Sequence, residues 1–246
     1  GLNGAIKVGA GTETTITATD GYQDATGVYA GAYNNKQAEI SILGNTTITA
    51  IGKTASYALY AEDGGKITVG SAGKTVSLTG DVVATGVGVV TLAGDTNIVK
   101  GTVKADGGSI VLNGSKNAAY AVDKFVAESS GKITVSGGTL NIDNLSDINK
   151  FDLADNSLIV TGKGVLKAAS DKVFEADTSG KKVIAGVDQK VLFNGGKLAI
   201  SDTSYTLADS KVYSEALGKV DDSGVGANTK TTIVMTGTLQ DQPVDN

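Results

Sequence analysis

The chain has 246 residues, of which 40% are hydrophobic, and this length and composition are sufficient for a folded core. Its formal net charge is −5, all 21 basic residues are lysines, and neither histidine nor cysteine occurs. The acidic balance and the lack of arginine argue against nucleic acid as a partner, and the missing histidine and cysteine lead us to expect no metal or other cofactor.

The remaining composition favours short strands joined by tight turns. Glycine accounts for 34 residues, proline occurs once, at Pro243, and 5% of the residues are aromatic. Glycine, asparagine and aspartate form turns at positive φ, whereas threonine, valine and isoleucine suit the pleated surface of a strand. We therefore expect an all-β chain with a thin core of small aliphatic side chains.

The first residues contain no recognisable targeting signal. Gly1-Leu2-Asn3-Gly4 lacks an initiator methionine and the basic and apolar regions of a signal peptide. No stretch of about 20 apolar residues follows, so we predict no transmembrane helix and no membrane insertion by this chain. We expect an excised piece or a mature product, with any signal or anchor outside the given sequence.

An internal repeat dominates the first two thirds of the chain. The segment Ala61–Val69 returns as Ala127–Val135, and Ala105–Leu112 between them is a shorter copy. Ala84–Leu92 is a looser copy, and Ala38–Ile42 precedes the series. The copies that begin at Ala105 and Ala127 lie 44 and 66 residues after Ala61. Both distances are multiples of 22, which predicts a structural unit of about 22 residues.

One unit contains three short strands with turns between them. Lys66–Val69, Thr75–Thr79 and Val82–Ala84 are separated by Ser71-Ala72-Gly73 and by Gly80-Asp81. Leucine-rich repeats have a similar period, but their Leu-x-x-Leu-x-Leu pattern is not found here. We therefore predict an all-β fold, a right-handed parallel β-helix built as a single-stranded solenoid with about 22 residues per coil.

The predicted solenoid has consequences for length and for the core. Coils that rise about 4.8 Å each would number about eleven and form a rod of roughly 50 Å. Ile67, Ile110 and Ile133 follow the same turn in their units, so we expect them to point inward and to stack along the axis.

The second half of the sequence is less regular. Residues 141–153 predict a loop or a short helical turn, and the polar segment 201–226 predicts a departure from the repeat. We divide the chain into a β-helix stalk, residues 1–195, and residues 196–246, a continuation, an irregular coil or a C-terminal cap. Ser157–Val160 and Lys182–Ala185 are expected to continue the series at intervals of roughly 22 to 27 residues, and further strands are predicted at Lys190–Phe193 and Lys230–Met235.

Two groups of acidic residues are candidates for binding. Asp143, Asp147, Asp152 and Asp155 could supply oxygen ligands to Ca²⁺, but their spacing matches no calcium-binding motif, and a solvated loop is the favoured interpretation. Glu62 and Glu128 occupy equivalent positions 66 residues apart, and Asp106 lies near the same position in a unit between them. They would line one edge of the rod, either as an acidic ridge for cations or basic partners or, as we favour, as turn residues that keep the edge soluble.

The tyrosines form a third candidate. They are concentrated early in the chain, and an aromatic patch of this kind could contact a carbohydrate or a protein. Stacking at the coil corners is the favoured explanation for two of them, Tyr57 and Tyr60. The early tyrosines are Tyr22, Tyr29, Tyr33, Tyr57 and Tyr60.

The segment Tyr57–Val69 and its copies resemble the passenger domains of bacterial autotransporters and related large surface adhesins. Their units commonly contain an apolar-Tyr-Ala stretch, a glycine turn and Ile-Thr-Val, and the resemblance covers roughly residues 25–165. It implies a secreted domain at the bacterial cell surface, anchored in the outer membrane through a part not in this chain. Its implied role is attachment to proteins or glycans of host or neighbouring cells, or that of a structural spacer, and self-association is left open.

Parallel β-helices also include polysaccharide lyases and hydrolases, which use arginine, or histidine beside aspartate. This chain lacks both, and without histidine the proton acceptor of a serine protease is missing too. We therefore expect no enzyme, and we assign no catalytic, cofactor-binding or metal-binding residue. The alternatives are a surface-layer or flagellin-type assembly domain and, less favoured, a polysaccharide-processing enzyme.

Overall fold

The computed structural model of the chain describes residues 5–33, 36–143, 147–169, 174–176, 182–184, 191–205 and 232–239. These residues form an all-β structure without a helix, and hence this part of the chain contains no helix able to cross a membrane. The strands are β1 (Ala5–Val8), β2 (Glu13–Asp20), β3 (Ala25–Ala30), β4 (Ala32–Tyr33), β5 (Lys36–Gln37), β6 (Glu39–Ile42), β7 (Asn45–Gly52), β8 (Ser56–Ala61), β9 (Lys66–Val69), β10 (Thr75–Thr79), β11 (Asp81–Thr85), β12 (Val89–Leu92), β13 (Thr96–Asp106), β14 (Ser109–Asn113), β15 (Ala119–Glu128), β16 (Lys132–Gly137), β17 (Thr139–Asn141), β18 (Phe151–Leu153), β19 (Leu158–Thr161), β20 (Val165–Ala169), β21 (Phe174–Ala176), β22 (Lys182–Ile184), β23 (Val191–Asn194), β24 (Lys197–Tyr205) and β25 (Thr232–Leu239).

Most strands stack in parallel in three ladders. The first ladder is an eight-stranded sheet in the order β1-β6-β9-β12-β14-β16-β19-β23. The second runs β2-β7-β10-β13-β15-β17-β20-β24-β25, and the third runs β3-β8-β11-β13-β15-β18. The long strands β13 and β15 belong to both of these ladders, which therefore form one thirteen-stranded sheet. We call one passage of the chain through the first, second and third ladders a unit.

The register confirms the predicted isoleucine stack. Ile67 pairs with Val90, Val90 with Ile110, and Ile110 with Ile133 along the first ladder. All four side chains are at most 1% exposed. Side chains alternate between the two faces of a strand. This inner row therefore faces the core, and the residues next to it along each strand face out.

The alanines of the repeat also stack, as their spacing predicts. Ala61, Ala84, Ala105 and Ala127 are consecutive partners in the third ladder, and their nearly equal intervals match the predicted period. The interval between Ala30 and Ala61 is markedly longer, so that period applies only to the central units. The first ladder accordingly holds eight strands in the described residues, not the eleven expected from a constant period.

Two antiparallel hairpins account for part of the longer intervals. Strands β4 and β5 pair with each other, as do β21 and β22, and neither pair joins a ladder. The prediction that Lys182–Ile184 continues the series is therefore wrong, because this strand pairs with Phe174–Ala176 instead. Local antiparallel pairing is available wherever an insertion is long enough to turn back on itself.

A column of glycines allows the units to approach closely at the corner between the third and first ladders. Gly65, Gly88, Gly108 and Gly131 occupy equivalent positions there. A Cβ atom at Gly88 would lie 2.3 Å from the carbonyl oxygen of Ala61. At each of the other three glycines, a Cβ atom would lie 2.2 to 2.6 Å from the nearest backbone atom of the preceding unit. Such distances are far below van der Waals contact, so only glycine fits without displacing the neighbouring unit.

The core contains one layer of aromatic stacking and a polar corner. Phe125 and Phe151 pair in register, with ring centroids 5.5 Å apart and planes inclined by 5°. The buried Tyr120 hydroxyl donates to the carbonyl of Gly137 at 2.8 Å and accepts from the amide of Gly114 at 2.7 Å. Desolvation raises the pKa of Tyr120 to about 12, so this bridge is intact at neutral pH.

The irregular segments have specific places in this scheme. After β17 the chain leaves the stack and returns as β18, which pairs with β15, so a loop interrupts the series within residues 141–153 as predicted. Strands β24 and β25 extend the second ladder. The polar segment begins inside β24, so the prediction that the chain departs from the repeat at residue 201 is wrong for residues 201–205. Residues 206–226 lie outside the described residues, and the domain division after residue 195 stays a prediction.

Candidate functional site

The outer face of the third ladder carries the most varied side chains of the described repeat. One row of register partners, which we call the outer row, crosses six units, with two aromatic residues at one end and a mixture of aliphatic and charged residues along the rest. Its members are Tyr29, Tyr60, Val83, Lys104, Val126 and Asp152. The opposite faces of these strands supply the buried alanines, so the outer row is free to vary without disturbing the core.

Three tyrosines form a cluster at the aromatic end of the outer row. The rings of Tyr29 and Tyr60 stack with centroids 6.0 Å apart, and those of Tyr57 and Tyr60 are tilted by 60° at 5.0 Å. In a regular strand Tyr57 and Tyr60 would face opposite sides. The pairing of β8 with β11 shifts register by one residue at Ala58, which brings both rings to the outside. We call these three residues the tyrosine cluster.

Glu62 fixes the exposed end of the tyrosine cluster. The Tyr29 hydroxyl donates a 2.5 Å hydrogen bond to Oε1 of Glu62. This bond, with smaller contributions from burial and neighbouring charge, raises the pKa of Tyr29 to about 12. The ring nevertheless remains 52% exposed, so the hydrogen bond orients an aromatic face that solvent or a ligand can reach.

A groove opens beside Tyr57, at the corner between the second and third ladders. Its volume is about 510 Å³, which lies within the usual range of small-molecule sites. Gly80 and Gly101 are stacked backbone to backbone, and a Cβ atom at Gly101 would lie 2.7 Å from the carbonyl oxygen of Gly80. Both glycines belong to the lining of the groove. The residues that line this corner groove are Ala50, Ile51, Thr54, Ala55, Ser56, Thr79, Gly80, Asp81, Lys100 and Gly101.

Asp81 connects the groove with the tyrosine cluster. It is the register partner of Tyr57, and its Oδ1 accepts a 2.7 Å hydrogen bond from the amide of Thr102. The pKa of Tyr57 is raised by burial first and then by the negative charges of Asp24 and Asp81. Asp81 therefore places a carboxylate where the groove meets the cluster, and Lys100 adds one cation to the groove lining.

The acidic residues Glu62, Asp106 and Glu128 do not form an uninterrupted ridge. Asp106 and Glu128 are register partners, but Lys104 Nζ lies 2.5 Å from Glu128 Oε1 and 3.5 Å from Asp106 Oδ2. The hydrogen bond to Glu128 raises the pKa of Lys104 above its ordinary value, which keeps this ion pair charged at neutral pH. Glu62 bonds to Tyr29, so each of the three acids has a local role.

The other acidic group does not converge either. Asp147 accepts a hydrogen bond from the amide of Asn149, and Asp152 lies 3.5 Å from the ammonium group of Lys124. Asp143 bonds to the side chain of Asn141 at 2.9 Å. Asp155 lies in a turn, and no group of three or more potential ligands that could hold a metal ion occurs in the described part of the chain. This geometry is that of a solvated loop.

Tyr22 does not belong to the tyrosine cluster. Tyr22 lies between β2 and β3, is 87% exposed, and contacts no other aromatic ring of the described residues. The side chain of Tyr33 lies outside the described part of the structure. The corner groove was not predicted; its sequence signal is the glycine pair formed by Gly80, between β10 and β11, and Gly101, within β13. Comparison with protein-family models, with curated proteins and with solved structures finds no match to this chain.

Proposed function

We propose that this chain is a non-enzymatic domain of a bacterial surface adhesin, similar to an autotransporter passenger, that mediates attachment or serves as a spacer. The observation that carries the proposal is the exposed tyrosine cluster beside an open groove, displayed on the side of a stack of parallel strands. Exposed aromatic side chains grouped in this way are typical of recognition surfaces.

We infer that the three ladders close into a right-handed parallel β-helix. Strands of the three ladders follow one another in the same order in successive central units, and every ladder pairing in the described residues is parallel. Connections between parallel strands of one sheet are right-handed in about 98% of cases, which supports the handedness. Eight stacked strands would span roughly 35 to 40 Å. A crystal structure with a left-handed or open arrangement would overturn the inference.

The chemistry of the site supports binding over catalysis. Acid–base roles would fall to Asp, Glu, Lys and Tyr alone, because the sequence has no histidine, cysteine or arginine. At the described site, Lys104 is held by two carboxylates and Tyr29 by one, so these groups serve to fix the surface. Incubation with neutral and acidic polysaccharides, with and without Ca²⁺, should leave their chain length unchanged; reproducible cleavage would refute the assignment.

The assembly-domain alternative predicts a different arrangement. A surface-layer or flagellin-type domain is expected to be rich in antiparallel hairpins without a period. The ladders are parallel, and the central units keep a nearly constant interval from Ala61 to Ala127, which favours the adhesin proposal.

Adhesion of coated beads tests the proposed function. Beads carrying the 246-residue chain should attach to bacterial or host cells, or to an immobilised glycan, more than beads carrying an unrelated acidic protein of similar size. Many copies on one bead raise the avidity of weak individual contacts. Attachment no greater than that of the control beads on every surface would remove the adhesive role.

A further inference from the structure

We propose that the corner groove, together with Tyr57 and Tyr60, binds a carbohydrate chain that bears no negative charge. The proposal rests on the adhesive function proposed above and names the class of ligand. It makes the two surfaces parts of one site, in which the tyrosine rings hold one sugar unit and the groove holds its neighbour.

The tyrosine rings supply the apolar half of carbohydrate recognition. The C–H face of a pyranose is apolar and packs on an aromatic ring, while the hydroxyls at its edge need hydrogen-bonding partners. Tyr57 and Tyr60 are half-buried, and their rings are inclined by 60°, so they form an angled surface and not a flat one. The stacked ring of Tyr29 continues this surface away from the groove.

The groove supplies the polar half. The Ser56 hydroxyl accepts a 3.0 Å hydrogen bond from the amide of Gly52, which leaves its own proton available to a ligand. Asp81 uses Oδ1 for the amide of Thr102, and its Oδ2 has no hydrogen-bond partner among the described residues. The hydroxyls of Thr54 and Thr79 lie on the same lining. Donors and acceptors around a depression of this size suit the several hydroxyls of a sugar.

The local charge selects against acidic sugars. Asp24 and Asp81 both act on Tyr57, and Glu62 is bonded to Tyr29 at the far side of the cluster. Lys100 on the groove lining is one cation against these three carboxylates, and Lys104 of the outer row is engaged by Glu128 and Asp106. A sialylated or uronate-containing chain would bring its carboxylates into this negative field, whereas neutral or amino sugars would not.

The test uses matched tyrosine variants of the whole chain against a panel of immobilised glycans. The panel contains neutral oligosaccharides of glucose, galactose, mannose and N-acetylglucosamine, with sialylated and uronate-containing oligosaccharides of equal length. We expect binding to at least one neutral class and weaker binding to its acidic counterpart. Tyr57→Ala should reduce binding by about tenfold, the loss expected for one aromatic contact. Tyr22→Ala, a control at an exposed tyrosine outside the cluster, should leave binding unchanged.

A second variant tests the role of charge. Asp81→Asn keeps the side-chain shape and removes one negative charge, so the ratio of acidic to neutral glycan binding should rise severalfold. Equal or tighter binding of acidic glycans by the parent chain would overturn the proposal, as would equal losses for Tyr57→Ala and Tyr22→Ala. Beads coated with Tyr57→Ala that attach as well as parent beads would refute the glycan site while leaving the adhesive function intact. If parent beads attach to none of the surfaces tested, both the glycan site and the proposed adhesive function are refuted.

Discussion

Replacement of Gly88 by alanine tests whether the corner glycines hold the stack together. The added Cβ atom would lie 2.3 Å from the carbonyl oxygen of Ala61 and 2.8 Å from the amide nitrogen of Glu62. Both are backbone atoms of the preceding unit, which cannot rotate away as the end of a flexible side chain can. The methyl group must therefore push two neighbouring units apart.

The expected loss of stability follows from two opposing effects. Insertion of a methyl group into a tightly packed site costs about 1 to 3 kcal/mol, and the hydrogen bond from the amide of Ser109 to the Gly88 carbonyl, 2.9 Å long, is strained by the same movement. Alanine also reduces the entropy of the unfolded chain, which offsets about 0.4 to 1 kcal/mol. We expect a net decrease of about 2 kcal/mol in the free energy of unfolding.

Urea unfolding followed by circular dichroism measures this change as a lower midpoint. The matched control is Gly21→Ala, since no heavy atom lies within 4 Å of a Cβ placed at Gly21. We expect the control to differ from the parent by less than about 0.5 kcal/mol. Equal midpoints for Gly88→Ala and the parent, or an equal decrease for both variants, would refute the proposed close packing at the corner.

Three further changes test the core and the surface. Ile133→Asp should lower stability by several kcal/mol in thermal melting, because it buries an unpaired charge, whereas Ile133→Val should cost only about 0.5 to 1.5 kcal/mol. Tyr120→Phe should cost about 1 to 3 kcal/mol by leaving two backbone groups unpaired. Because the pKa of Tyr120 is raised from 10.0 to about 12, its contribution to stability should be lost as the pH rises from 10 to 12. The phenylalanine variant should therefore show a smaller alkaline fall than the parent, the remainder coming from Tyr29, whose pKa is also raised to about 12. Lys104→Met should change stability by less than about 1 kcal/mol, since its ion pairs are exposed to solvent, and a larger effect in urea would contradict this.

The stack could be predicted because its constraints recur in every central unit. A small alanine, a corner glycine and an inward isoleucine or valine follow one another near residues 61, 84, 105 and 127. Each is required by a contact with the equivalent residue one unit away, so the same kind of residue recurs at that position in every central unit. Ile67 and Ile133 could therefore be assigned to one row although two other units lie between them.

The candidate site could not be predicted in the same way, because it occurs once. Tyr57 and Tyr60 share a side only because the register with the next strand shifts by one residue at Ala58, and no repeated pattern signals that shift. The groove lining includes two glycines, Gly80 and Gly101, whose stacking is set by the pairing of different strands. The lengthened units could not be predicted for a similar reason. An insertion such as β4–β5 leaves the inner rows unchanged, so the repeated pattern does not signal it.

Inner and outer rows of the same strands are therefore under different constraints. Inward positions are interchangeable aliphatic residues whose task is to fill equal spaces, and a change at any of them is expected to affect stability alone. The outer row carries aromatic, aliphatic and charged residues, as in Tyr60, Val83 and Lys104, although the backbone beneath it repeats. Packing does not require that variety, because the alanines opposite are already buried. Recognition is therefore best sought where the sequence departs from its period while the strand register is kept, and the tyrosine cluster with its groove is the clearest such place in the described structure.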